Sequence, residues 1–235
     1  MTVQEIMKEL QSKGSESVKK ALLNHGVKEP FFGVNIFDLK LIQRMLKVDY
    51  QLAKDLYATG NADAMYLAGL IADDKKMTRS DLQTWAEQAV SSNINEFTVP
   101  WVTVGNELGY DLAIEWIDSK VEHIAATGWS TLNNLAAIKP DSELDLPGLK
   151  TLIERVSNTI HTSDNRVQYA MNSFIISVGT FVVSLSEDAI AVAKKIGTIT
   201  IERNGAPYTI PKAIDYIMTI KEMGTIGKKR KTAKF

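Results

Sequence analysis

The residues of this chain best suited to chemistry are aromatic and amide side chains rather than nucleophiles or metal ligands. All four tryptophans, Trp101 and Trp129 among them, fall between positions 85 and 129. There is no cysteine, there are only three histidines, and no zinc-binding helix motif, P-loop or dinucleotide-binding glycine motif is present. Aromatic rings stack on bases and attract cations, and amides hydrogen-bond to sugar and phosphate. This combination favours binding chemistry, and no cofactor or metal is expected.

The amides cluster on two predicted helices in the second half of the chain. Asn133 and Asn134 follow Trp129, while Asn165, Arg166 and Asn172 lie on a later, apolar helix. In a stack of helix pairs the second helices line the concave face, so these side chains are candidate DNA contacts. The alternative is that the tryptophans are core residues and the asparagines are caps or interhelical hydrogen-bond partners. The pattern leaves both interpretations open.

Charge is distributed unevenly along the chain. The net charge is −1, but the last ten residues, IGKKRKTAKF, hold five basic residues and no acid; without them the chain has 22 basic and 28 acidic residues. An acidic body argues against a broad nucleic-acid-binding face, and a basic tail favours a local anion contact. The alternative is a solvated, frayed terminus. The candidate contacts in the tail are Lys228, Lys229, Arg230 and Lys231.

The elements that would position these residues are predicted to be helices in pairs. Leu52, Leu82 and Leu112 are spaced 30 residues apart, and each opens a short amphipathic helix followed by a turn and a more apolar helix. Stacked pairs of this length bury a core as an α-solenoid. The alternating segments TITIE and APYTI flank Asn204-Gly205, which predicts a β-hairpin at about 198–210.

Two local helix predictions bear on the candidate site. Pro100-Trp101 suits a helix start, because the first helical N–H groups have no intrahelical partner, and we predict one helix from Val99 to Leu108. Further on, the segments Val121–Ala126 and Trp129–Ile138 are predicted as two separate helices. The chain starts without a basic, apolar leader and has no run of about 20 apolar residues, so we expect a cytoplasmic protein that does not span a membrane.

Several stretches together resemble a known family. The run WVTVG (Trp101 to Gly105), the Trp129 helix, the stretch RVQYAMNSFIISVG (166–179) and the basic ending resemble the DNA alkylation repair proteins, the AlkD-like HEAT-repeat family. The resemblance implies a curved all-α solenoid that holds DNA in a positive concave groove. It also implies the activity of a glycosylase that excises cationic alkylpurines such as 3-methyladenine and 7-methylguanine. Aromatic faces would contact the lesion, and an aspartate would stabilise the developing oxocarbenium ion.

The chain departs from the family pattern where the catalytic residues are expected. Active members carry W-D-x-V-D; Trp101 matches its tryptophan as the candidate lesion-facing aromatic, but Gly105 stands at the position of the second aspartate. The nearest carboxylates are Glu107 and Asp111; Glu107 would project about 200° away on the predicted helix, and Asp111 is expected to cap the next one. Where the family has a second tryptophan in its site, this chain has Asn172 or Ser173. Where the family has an arginine after the Trp129 position, this chain has Asn133 or Asn134.

We therefore predict an all-α, HEAT-like helical-repeat solenoid with one C-terminal hairpin. A single domain is expected over residues 1–225, followed by a basic tail, 226–235. The leading function is DNA binding in a concave groove, with glycosylase activity on N3- or N7-alkylpurines as its catalytic extension. The alternatives are a non-catalytic scaffold that binds protein or structured or damaged nucleic acid, and a small-molecule or peptide binder using a Trp101–Trp129 cleft. A monomer is expected.

Overall fold

The fold is known from a computed structural model, which describes residues 1–89, 91–203 and 205–234. The chain is mostly helical, with one two-stranded antiparallel sheet in the described part. The helices are α1 Val3–Ser12, α2 Glu16–Asn24, α3 Ile36–Leu46, α4 Tyr50–Tyr57, α5 Ala62–Ile71, α6 Arg79–Gln88, α7 Val99–Val104, α8 Gly109–Trp116, α9 Glu122–Ile138, α10 Leu146–Thr159, α11 Asn165–Phe181, α12 Ser186–Ile196 and α13 Ala213–Glu222. The strands are β1 Thr200–Arg203 and β2 Ala206–Thr209.

Side-chain caps fix where many of these helices begin. The Thr2 hydroxyl accepts the Glu5 N–H while the Glu5 carboxylate accepts the Thr2 N–H, which forms a capping box at α1. The sequence Thr78-Arg79-Ser80-Asp81 resembles a capping box and predicts the start of a helix over Thr78–Val90, and such a box is present at the start of α6. At α5 the Asn61 side chain accepts two N–H groups of the first turn. Each cap of this kind stabilises its helix by about 1 kcal/mol.

Residues 1–109 and Lys234 form one compact unit. Its centre is α5, in which all ten residues are buried. Tyr57 of α4 stacks on Trp85 of α6 with ring centroids 4.0 Å apart, and its hydroxyl donates to the Trp85 carbonyl at 2.6 Å. The side chain of Thr98 packs directly on Gly69 of α5, so a side chain larger than glycine would clash there. These contacts fix the segment that leads into α7.

Residues 110–233 form the second compact unit, organised around the long helices α9 and α11. The prediction of two helices over Val121–Ala126 and Trp129–Ile138 is wrong, because α9 runs unbroken through Gly128. A Cβ at Gly128 would lie 2.7 Å from the Ile117 nitrogen and 2.8 Å from the Ala113 carbonyl oxygen. The glycine therefore permits close helix packing and does not interrupt the helix.

The hairpin forms where it was predicted. Thr200 pairs with Thr209, Ile201 with Tyr208, Glu202 with Pro207 and Arg203 with Ala206. Ile201 is buried, whereas all four residues of β2 are exposed. Asn204, half of the predicted Asn-Gly turn, lies outside the described residues, as does Val90, the predicted end of α6.

The start of α7 differs from the prediction. A π-helical segment, Ile94–Thr98, precedes it, and α7 ends at Val104 rather than Leu108. Short 3₁₀ segments occur at Asp74–Lys76, Asp141–Glu143, Ile160–Thr162 and Val183–Leu185. No single helix in the described ranges is long and apolar enough to cross a membrane. Helix α11 and the segment Val183–Ile196 are long and apolar enough only when taken together, and the chain bends by 114° between them. The division into a 1–225 domain and a tail stays a prediction.

Candidate functional site

Trp101 lies inside the first unit rather than on its surface. Its side chain is 2% exposed. Tyr66 of α5 meets it edge-on with centroids 5.2 Å apart, and Phe97 of the π-helical segment packs at 6.3 Å. A ring enclosed in this way packs as a core residue, and the role of a lesion-facing aromatic stays a prediction for Trp101. The tryptophan is a core residue because α7 packs against the fully buried helix α5.

Gly105, four residues later, is exposed and lies against a carboxylate from elsewhere in the chain. A Cβ at Gly105 would lie 2.5 Å from Oδ2 of Asp74. The other oxygen of Asp74 pairs with the Lys234 ammonium at 2.6 Å, and that ammonium also donates to the Ala72 carbonyl at 3.3 Å. The side chains of Asp74 and Lys234 are 21% and 20% exposed. A largely buried ion pair therefore stands beside the position where the family resemblance expects a carboxylate.

The environment of Asp74 is set by burial and by its lysine. Burial raises the pKa of the Asp74 carboxyl above its ordinary value, and the neighbouring Lys234 charge opposes that rise in part. Asn106 holds the backbone on either side, since its Nδ2 donates to the carbonyls of Asp74 at 2.6 Å and Met77 at 2.8 Å. The sequence gives no signal for this pair, because 160 residues separate its members.

Neither predicted substitute carboxylate reaches Trp101 along a shared helix. Glu107 is exposed in the turn after α7, so the expectation that it continues that helix is wrong. Asp111 is exposed in the first turn of α8 and does not precede that helix as a cap. The Asn106 side chain accepts the Leu108 N–H at 3.0 Å, which stabilises a turn in place of the expected helical residues.

Trp129 is likewise a core residue, in the second unit. Its side chain is 0% exposed and packs edge-on against Phe174 of α11 at 5.3 Å. The Arg155 guanidinium lies over the ring at 5.7 Å. Trp129 is thus part of the core in this structure, and its contact with DNA stays a prediction. The small-molecule hypothesis required open faces of Trp101 and Trp129, and both rings are enclosed.

Most of the candidate amides are used internally. Asn134, 8% exposed, donates to the Ser130 carbonyl at 2.8 Å, and Asn172, 4% exposed, donates to the Pro211 carbonyl at 3.1 Å. Asn133 accepts a hydrogen bond from Ser177, and Asn165 accepts the N–H of Glu202 at 3.1 Å. These four amides therefore bond within the protein, and their contact with DNA stays a prediction.

The candidate basic residues differ in how far they are exposed to solvent. Arg166 is half-buried, with its guanidinium 4.9 Å from the Tyr169 ring centroid. In the tail, Lys228, Arg230 and Lys231 are exposed. Lys229 is half-buried: its ammonium pairs with Asp141 at 2.8 Å and donates to the Ala136 carbonyl at 3.0 Å.

Residues 227–230 of the tail are docked on the second unit. The Gly227 N–H donates to the Thr180 carbonyl and the Arg230 N–H donates to the Ala137 carbonyl, each at 2.8 Å. The Arg230 guanidinium lies 5.3 Å from the Phe181 ring centroid. Docking reduces the entropy that a phosphate contact would cost, because the backbone carrying the lysines is already ordered. Within the described residues no three His, Asp or Glu side chains gather as a metal site.

Comparison with known proteins identifies the fold class and the family of this helical chain. The fold is similar, with a TM-score of 0.93, 34% identity and 98% coverage of both chains, to a solved structure described as "a new family of proteins related to the HEAT-like repeat DNA glycosylases with affinity for branched DNA structures". The predicted HEAT-like helical-repeat class is thereby confirmed. A model of the DNA alkylation repair enzyme family matches residues 6–217. The chain belongs to the DNA alkylation repair enzyme family.

Two bacterial relatives extend the similarity across nearly the whole chain. An uncharacterized protein of Listeria innocua serovar 6a is 28% identical over 223 residues, and one of Listeria monocytogenes serovar 1/2a is 29% identical over the same length. Each alignment covers 92% of this chain and 96% of the relative. These relatives therefore match the chain over nearly its full extent.

Proposed function

We propose that this protein binds DNA and prefers branched DNA to a linear duplex. The observation that carries the proposal is the near-complete similarity, 34% identical over 98% of both chains, to a protein of a family described as having affinity for branched DNA structures. The membership of the DNA alkylation repair enzyme family supports the same class of ligand. The binding surface implied by the resemblance is the concave groove of the helical repeat.

The charge balance supports selective rather than general DNA binding. Duplex DNA attracts proteins through many phosphate contacts, and these need a broad basic face. The chain has a net charge of −1, and its basic excess is concentrated in the last ten residues. Exposed Lys228, Arg230 and Lys231 on the docked tail, with Arg166 of α11, are the cations we propose as phosphate contacts. A few local contacts favour recognition of a DNA shape over binding along any duplex.

The test compares a four-way junction with a linear duplex of the same sequence and length, by fluorescence anisotropy at fixed salt. We expect tighter binding to the junction. The variant K228E/K231E should weaken that binding and lower the salt slope of log K by about 0.9 for each phosphate that is no longer neutralised. The matched control K8E/K20E changes two exposed lysines of α1 and α2 and should leave binding unchanged. Equal affinity for junction and duplex would refute the proposed preference.

A second candidate function is excision of a cationic alkylpurine. The observation that favours it is the Asp74 carboxylate, whose Oδ2 lies beside Gly105 at the position where the family carries its aspartate. A carboxylate in a partly buried setting stabilises the positive charge that develops on the sugar as the glycosidic bond breaks, and water then completes the hydrolysis. In this candidate reaction Lys234 would have to leave Asp74, since their ion pair neutralises the carboxylate.

Release of 7-methylguanine from methylated DNA tests this candidate. We expect Asp74→Asn to abolish release and Asp73→Asn, a change at the adjacent carboxylate, to retain it. Trp101→Ala is a poor test, because truncating a tryptophan that is 2% exposed would cost about 3–5 kcal/mol of stability and confound any effect on activity. If no base is released at high protein concentration, beside an active glycosylase as control, base excision is ruled out and DNA binding remains.

A further inference from the structure

Helix α3 presents an apolar stripe to solvent in the first unit. Phe37 is 70% exposed and Met45 is 59% exposed, and the half-buried Leu41 lies between them at the i, i+4, i+8 spacing of one helix face. Val48, two residues beyond the end of the helix, is 65% exposed as well. Single exposed apolar residues are ordinary, but several at neighbouring positions mark a surface that binds something.

The opposite face of α3 explains why this stripe is not part of the core. Leu39 is 3% exposed and Ile42 is 0% exposed, so the helix already has one buried face within its unit. Gln43 donates to the Leu70 carbonyl at 3.3 Å from the same side. Because the inward face is complete, the helix needs no further apolar residues for folding. The outward stripe is therefore in excess of what the fold requires.

Three cations accompany the stripe. Lys40 and Arg44 follow Phe37 at i+3 and i+7, which places them along one edge of the apolar face, and Lys47 follows the last turn. Across the described ranges 1–89, 91–203 and 205–234, none of the three takes part in an ion pair. The acid of the helix, Asp38, pairs with Lys13 instead. The edge of the stripe is thus positive and not neutralised within the protein.

Lys47 is also held in an unusual backbone conformation. Its φ is 59° and its ψ is −166°, a region that glycine occupies and other residues rarely do. Glycine would relieve this strain at the end of α3, yet the position carries a long, exposed cation. Strain that persists at an exposed residue points to a use for its side chain.

We propose that this α3 surface, formed by Phe37, Lys40, Leu41, Arg44, Met45, Lys47 and Val48, docks an amphipathic helix of a partner protein whose flanks are acidic. The eleven residues of α3 are about 16 Å long, which matches about three turns of a partner helix. Apolar anchors at helical spacing would pack on the stripe, and glutamates or aspartates beside them would pair with the three cations.

The composition of the surface argues against two other occupants. Nucleic acid would favour several aromatic rings for stacking, whereas the apolar residues of this surface are one aromatic, Phe37, and three aliphatic ones. A second copy of this chain would bring Lys40, Arg44 and Lys47 of both copies together, and like charges facing one another disfavour association. The proposal is independent of the DNA function, because it rests on α3 alone.

The probe is a synthetic, fluorescein-labelled 18-residue peptide with leucines at i, i+3, i+4, i+7 spacing and glutamates on both flanks. Its anisotropy is measured against the full chain. We expect saturable binding that Phe37→Ser and Met45→Ser each weaken about tenfold, since both remove exposed anchors. Leu23→Ser, which changes an exposed leucine of α2, is the matched control and should have no effect.

A charge swap makes the test specific. The variant K40E/R44E should bind the glutamate peptide about tenfold more weakly and gain affinity for a peptide with lysines in place of the glutamates. Circular dichroism checks that each variant is folded. The proposal is overturned if the wild-type chain does not bind the glutamate peptide or if the swap leaves both affinities unchanged. It is also overturned if the surface prefers single-stranded DNA, or vesicles of phosphatidylcholine and phosphatidylserine, to the peptide.

Discussion

Asp74 and Lys234 show how a single contact can depend on two residues far apart in sequence. The carboxylate is largely buried beside Gly105, and the ammonium that faces it comes from the second-last residue of the chain. Charge that is removed from water requires a partner, and removing one member leaves the other with an uncompensated cost. This pair therefore couples the end of the chain to the protonation of one carboxyl group.

Lys234→Met should destabilise the protein in a pH-dependent manner. Burial raises the pKa of Asp74 above its ordinary 3.8 even beside Lys234, so the folded state holds the proton more tightly and stability falls as pH rises through that raised pKa. Without Lys234 the pKa rises further, and the destabilisation at neutral pH grows to about 1–3 kcal/mol. As pH falls below the raised pKa, Asp74 takes up its proton and the difference from wild type shrinks.

Urea unfolding at pH 7 and pH 4 measures this effect. Lys231→Met, a change at an exposed tail lysine, serves as the control and should be close to neutral at both values. A difference between wild type and Lys234→Met that stays constant across pH would show that Asp74 is not the group responsible.

Gly105→Ala should destabilise the protein by about 1–3 kcal/mol, because its Cβ would lie 2.5 Å from Oδ2 and 2.7 Å from Cβ of Asp74. The reason is steric rather than conformational, since the backbone φ of Gly105 is −79°, which any residue adopts. In a double-mutant cycle with Asp74→Gly, which removes both the Cβ and the carboxylate, the cost of Gly105→Ala should largely vanish. Strict additivity in chemical denaturation would contradict this account.

At the scale of elements, Asp81 shows how one residue can both begin a helix and join it to another. Its carboxylate completes the capping box with Thr78 at the start of α6. It also pairs with Lys54 of α4 at 2.7 Å and accepts the Tyr50 hydroxyl at 2.7 Å. The placement of α6 beside α4 therefore depends on an ionised carboxylate.

Asp81→Asn should remove the part of the pH dependence of folding stability that comes from the Asp81 carboxyl group. Burial alone would raise the pKa of Asp81, but Lys54, Thr78 and Tyr50 outweigh it and lower the pKa to about 2. A depressed carboxyl pKa contributes stability that is present above 3.8 and is lost as pH falls through 2. With allowance for solvent screening the contribution is about 1 kcal/mol.

The variant should be less stable than wild type at pH 7, and its stability should change less between pH 4 and pH 2. Guanidinium titrations across that interval give the comparison, with Asp55→Asn of α4 as the control at an exposed acid. Parallel pH curves for wild type and Asp81→Asn would disprove the assignment.

For the molecule as a whole, the fold bears on which ligand is bound, and the net charge bears on how strongly DNA of any shape is attracted. A HEAT-like repeat offers a long surface, and the family membership supports DNA as its ligand. The net charge of −1 limits attraction to DNA of any shape. The preference for branched DNA that we propose would then depend on where the exposed cations lie.

Binding of junction DNA should stabilise the fold by mass action. At a free concentration about 100 times the dissociation constant, a ligand that binds only the folded state adds about 2.7 kcal/mol to the free energy of unfolding. Thermal unfolding with junction DNA should therefore give a higher midpoint than unfolding with the same concentration of linear duplex. Equal midpoints for the two DNAs at low salt would count against a branched-DNA function.

Features that depend on neighbours in the chain could be predicted from the sequence. The capping box at Thr78 and the hairpin after Gly197 follow from local hydrogen bonding and turn geometry, so short stretches were sufficient to predict them. The family resemblance held for the same reason, since it rests on runs of adjacent residues.

Which residues face solvent and which distant groups meet could not be predicted from local sequence. Trp101 and Trp129 could be core or site on pattern alone, and burial against α5 and α11 made them core. Gly128 was expected to separate two helices, but close helix packing requires it within one. The carboxylate beside Gly105 comes from position 74 and its counterion from position 234. Sequence patterns report local periodicity, whereas burial and ion pairing depend on which elements pack together.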